Sequence, residues 1–82
     1  MDIMTLTKWA EIASNQLLGR RIVGVRYMTI PEMQDFFWQS RALVLELDDG
    51  SMIFPAADDE GNDAGVLFTT SKTNPVIPAW RE

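Results

Sequence analysis

LVLELDDGSMIFPAADDEGNDAGVLF, residues 43–68, sets a strand pattern, a tight turn, a second strand and an acidic glycine-bearing loop end to end. Leu43, Leu45 and Leu47 share one side of a strand, with Ala42, Val44 and Glu46 opposite, so the leucines are the expected core face. Asp49-Gly50 flanked by alternating apolar residues predicts a two-residue type I′ hairpin, in which both central residues take positive φ. Met52, Ile53 and Phe54 then return antiparallel to Val44 and Leu45, and Pro55, which has no N–H, ends the ladder.

Upstream, residues 36–48 read as one strand opening with Phe36, Phe37 and Trp38, whose rings alternate between the two sides. Pro31 makes 30–35 a turn or irregular crossing. Residues 21–29 carry the β-branched and aromatic run IVGVRY, a first strand in which Gly24 marks a bulge or a close approach. Before it, Leu6, Trp9, Ala10, Ile12, Ala13, Leu17 and Leu18 recur at three- and four-residue spacing, which predicts an amphipathic helix over 5–18 with one face buried. Thr5 or Thr7 would cap its start, and Gly19 followed by Arg20 and Arg21 would close it. Downstream, 66–70 is a short strand, and two prolines leave 71–82 an extended tail whose Val76, Ile77 and Trp80 pack across the domain or into another chain.

The sum is an α+β fold in a single domain, 1–82: one N-terminal helix packed on a twisted antiparallel sheet of three to five strands. Local pattern leaves open whether that sheet curls into a partial barrel. A chain of 82 residues buries only about 60–65% of its unfolded surface, so its core is thin.

Composition bounds the chemistry. The chain has no cysteine and no histidine, which removes disulfides, thiolate metal sites, thiol nucleophiles and the commonest general base. Ser14, Ser40, Ser51 and Ser71 therefore lack a histidine partner, while Asp48 and Asp49 fall in a turn with nothing to raise one pKa above the other. Tyr27 reads as core, and no cofactor is called for. Asp2 stands where a signal peptide would carry positive charge, and no apolar run approaches about 18 residues, so the expectation is a soluble cytoplasmic protein. Net charge is −5 and unevenly spread: residues 1–45 hold five basic and four acidic side chains, residues 46–82 two and eight. A nucleic-acid backbone would be repelled by the acidic half, so a protein partner is expected there, a basic one by preference.

Five oxygen-bearing side chains, Asp58, Asp59, Glu60, Asn62 and Asp63, lie within six positions. They offer a hard cation a set of ligands, but the register does not fit an EF-hand, and a solvated turn around Gly61 and Gly65 competes with that reading. The partner-binding candidates are Phe36, Trp38 and Trp80, because tryptophan is enriched at the energetic centres of interfaces; monomer packing is the competing explanation.

The DDG turn, the segment DDEGNDAGVLF and the strand IVGVRY after a glycine-ended helix resemble small bacterial domains of unknown function. That resemblance implies a bacterial α+β domain and no activity, and it transfers no catalytic residue. The expected function is protein association, with homodimerisation through an apolar sheet face or edge. A divalent-cation or small-ligand module built on 58–63 is the alternative, and an enzyme using exposed carboxylates comes third.

Overall fold

In the computed structural model, which describes residues 2–81, helix α1 runs Ile3–Leu17. The end of the expected tail, residue 82, lies outside the described residues. The helix starts before the threonines predicted to cap it, because Asp2 is already extended (φ −79°, ψ 170°) and accepts the Thr5 amide on Oδ1 at 2.8 Å. Thr7 turns its hydroxyl onto the Ile3 carbonyl instead, at 2.8 Å. Leu18 is extended and Gly19 takes φ 78°, ending the helix close to where the sequence placed its stop.

Strand β1, Ile22–Tyr27, pairs antiparallel with β3, Leu43–Leu47, which pairs in turn with β4, Met52–Ile53. The register slips between Ile22 and Gly24, a bulge where the sequence put the glycine. A side chain at Gly24 would collide with the carboxylate of Glu46 on the facing strand. The β3–β4 connection corrects the expected turn: among the described residues Phe37 is the only non-glycine with positive φ, so Asp49 does not take the type I′ geometry. Gly50 alone is left-handed, at φ 87°, with its amide on the Leu47 carbonyl at 3.1 Å, and Leu47 then pairs with Ser51. This is the three-residue hairpin in which a turn precedes a left-handed glycine.

A second correction concerns residues 30–35, which form a short helix, α2 (Ile30–Asp35), and not an irregular crossing. Thr29 and Glu32 make a reciprocal capping box, and the proline lies in the first turn, where its missing N–H is harmless. The chain leaves α2 through Phe37 at φ 60°, and Trp38 returns its amide to the Met33 carbonyl at 3.1 Å. The expected strand 36–48 is thus a turn followed by β2 (Ser40–Arg41) and β3, so the three rings do not alternate along a strand.

The tail is more ordered than an extended coil. Strand β5, Leu67–Phe68, pairs antiparallel with β6, Val76–Ile77, and β7, Trp80–Arg81, comes back to pair with β2. The fold is α+β with antiparallel strands, distributed over one three-stranded and two two-stranded ladders. Among the described residues, no helix is long and apolar enough to cross a membrane.

Both sides of β3 are buried: the expected leucine side at Leu43 and Leu47, and the opposite side at Ala42 and Val44, which holds the main cluster. Met28, Met33, Trp38, Ala42 and Val44 form the buried cluster, with Phe54 and Ala64 packed against it. Leu43 and Leu47 are buried as well, but Leu45 is only half-buried. Helix α2 decides this, because it delivers Met33 and Trp38 to the Ala42 and Val44 side.

Candidate interaction surface

The acidic loop is drawn inward by hydrogen bonds. Asp63 Oδ1 accepts the amides of Gln39 and Ser40, each at 3.2 Å, and that of Ala64 at 2.8 Å. The Gly61 carbonyl accepts the indole N–H of Trp38 at 2.6 Å, and the loop base is closed by a bridge between Ala56 and Ala64. Asp58 takes the Glu60 and Asn62 amides on Oδ1 and the Asn62 side-chain amide on Oδ2 at 2.8 Å, and these bonds hold its pKa below the usual carboxylate value. Asp59 and Glu60 stay exposed. The five candidate ligands therefore do not converge, and among the described residues no group of three carboxylates is placed to hold a metal ion.

The three aromatic candidates separate. Trp38 is 5% exposed, stacked on Phe36 with ring centres 4.9 Å apart and set edge-on to Phe54, so it belongs to the core and is withdrawn from the surface expected of it. Phe36 remains about half-exposed on that stack. Trp80 is also about half-exposed, tilted against Tyr27, whose hydroxyl donates to the Pro78 carbonyl at 2.9 Å. Tyr27 thus ties the tail to β1. Asp49 accepts both the hydroxyl and the amide of Ser51 and faces Arg20 at 3.5 Å, an arrangement that lowers its pKa, the opposite of what a general acid requires.

Arg26 links β1, α2 and β3. Its guanidinium donates to both oxygens of Glu32, at 2.8 and 3.0 Å, and lies 3.7 Å from Glu46. These bonds, joined by the Thr29 amide on Glu32 Oε1, push the Glu32 carboxyl from 4.5 down to about 2. A depressed pKa stabilises the fold fully above the unfolded value, and that stabilisation is lost as pH falls from 4.5 towards 2. Glu32→Gln should melt lower than the wild type at pH 7, with the two converging by about pH 2; parallel melting curves across that range would refute the assignment.

What the fold leaves outside is apolar to an unusual degree. Among the described residues, none of α1 is buried, and Ile3, Met4, Leu6, Trp9 and Leu17 are exposed. Val23 and Val25 of β1 are exposed too, as are Leu18, Phe68 and Phe37, the last at 92%. The chain, 9.3 kDa, exposes 6497 Å², whereas a compact monomer of that mass exposes about 5,000 Å². Its radius of gyration, 14.2 Å, exceeds the roughly 12 Å of a compact domain of this length. A cleft of about 220 Å³ between Leu43, Leu45, Ile53, Phe54, Pro55 and Leu67 adds to the apolar surface, but it lies below the roughly 300 Å³ at which small-molecule pockets begin.

The chain matches no protein-family model, no curated protein and no solved structure. Sequence reasoning foresaw that α1 is amphipathic but assigned its apolar face to the chain's own sheet. What the pattern could not supply is a cover for that face: among the described residues of α1 only Thr5 and Ile12 are half-buried and none is buried.

Proposed function

We propose that this chain is a non-catalytic bacterial domain that works in the cytoplasm by protein association, with a second copy of itself as its partner. The observation that carries the reading is the unburied apolar surface. About 1,500 Å² more area is exposed than a compact monomer would show, where a stable interface takes about 800 Å² from each partner. The absence of histidine and cysteine from the sequence, and the engagement of Asp49, Asp58 and Asp63 in turns and backbone bonds, support a non-catalytic role. A divalent-cation module on the acidic loop is less well supported, because Asp58 and Asp63 are engaged by amides while Asp59 and Glu60 stand apart in solvent.

Light scattering on the full chain over a wide concentration range, with calcium and with a chelator, tests this. The expected result is a mass twice 9.3 kDa at high concentration, falling on dilution and indifferent to calcium. A mass of one chain throughout would remove homodimerisation, and a mass that responded to calcium would restore the acidic loop as the site.

A further inference from the structure

Association requires a surface, and α1 offers one with a definite geometry. Ile3, Leu6, Ala10, Ala13 and Leu17 follow one another at spacings of three, four, three and four, which is the seam of a coiled coil. All five are exposed, Leu17 the least of the large ones, because the last turn of the helix lines a groove with Asp49, Ser51, Met52 and Ile53. The seam is flanked by Thr7, Trp9, Ser14 and Gln16, none of them charged, so no like charges oppose a second copy laid along it. Lys8 lies on the far side of the helix.

We infer that α1 pairs antiparallel with α1 of a second copy of this chain, about a two-fold axis passing between Ala10 and Ala13. The inference rests on the association reading above and specifies its surface. In this register Leu6 meets Leu17 of the partner subunit, and Ala10 meets Ala13 of the partner subunit, where the small side chains let the helix axes approach closely. The two helix dipoles then oppose each other, the positive end of one helix beside the negative end of the other. A parallel pair would set like ends of the two dipoles side by side, so the dipoles favour the antiparallel arrangement, and the surplus area exposed by the monomer is sufficient for an interface.

Sedimentation equilibrium on the full chain and three variants, with disulfide crosslinking of two more, tests the inference. Leu6→Asp and Ala13→Asp should each weaken the dimer by about a hundredfold or more, because symmetry removes the contact twice, while Lys8→Asp should change it by less than about threefold. Leu6 is 57% exposed, so the monomer should keep its fold, read as unchanged circular dichroism and melting temperature at a dilution where the wild type is also monomeric. The chain has no cysteine of its own, so a mixture of Leu6→Cys and Leu17→Cys chains should form a disulfide-linked heterodimer on oxidation, while neither alone crosslinks efficiently. A dimer indifferent to both aspartates would place the interface elsewhere and overturn the α1 seam while leaving the association reading intact. A wild type that is monomeric throughout would overturn the seam and homodimerisation together. A crosslink within Leu6→Cys alone would overturn the antiparallel register.

Discussion

Trp38→Ala should leave the chain without a cooperative unfolding transition at 25 °C. Removing a buried tryptophan costs about 3–5 kcal/mol, and a chain of 82 residues has only about 4–12 kcal/mol to lose. The indole does two jobs at once: its ring fills the space between Phe36, Phe54 and Val44, and its N–H anchors the acidic loop at Gly61. Trp38→Phe separates them, since most of the packing survives while the Gly61 carbonyl loses its donor. That variant should remain folded and melt lower, by about 1–2 kcal/mol of stability. The check is thermal and urea unfolding followed by circular dichroism. If Trp38→Ala melted as cooperatively as the wild type, the stability would have to come from the buried leucine side of β3 and not from the Trp38 cluster.

Asp63→Ala is the second large effect, expected to lower stability by about 2 kcal/mol, because three backbone amides lose one shared acceptor and that of buried Ser40 is poorly placed to find water. Asp63→Asn keeps an oxygen in the same place and should recover most of that loss. The contrast has diagnostic value, since the role assigned to Asp63 needs an acceptor oxygen at Oδ1 and not a negative charge. Hydrogen exchange at Gln39, Ser40 and Ala64 locates the effect. Protection unchanged in Asp63→Ala would mean that the loop is held by the Trp38 anchor alone.

How far the residues announced this structure depends on which interactions are local. The strand around Leu43–Leu47, the bulge at Gly24 and the glycine stop of α1 were legible, because each is settled within a few positions of the chain. The capping box of α2 was equally local, Thr29 followed three places later by Glu32, but Pro31 was weighed as a breaker of strands when its place in a first helical turn made it compatible with a helix. From that reading follow the wrong strand start at Phe36 and a core drawn on one side of β3 alone, since an unseen α2 cannot bring Met33 and Trp38 to Ala42 and Val44. The turn at Asp49 was legible as a turn and not as a type, because aspartate-glycine serves both two- and three-residue hairpins. The clasp at Asp63 and the return of the tail were beyond local reading, as both join positions more than twenty residues apart. The acidic run 58–63 accordingly looked like a set of ligands until the amides it binds came into view.

The pairing of β2 with β7 bears on how the chain is made. Ser40 faces Arg81 and Arg41 faces Trp80, so a strand laid down midway through synthesis waits for a partner that emerges about forty residues later. Until that partner is in place the outer edge of β2 is open, and Trp80 is not yet available to cover Tyr27. An unpaired edge of this kind is what chaperones shield in a newly made chain.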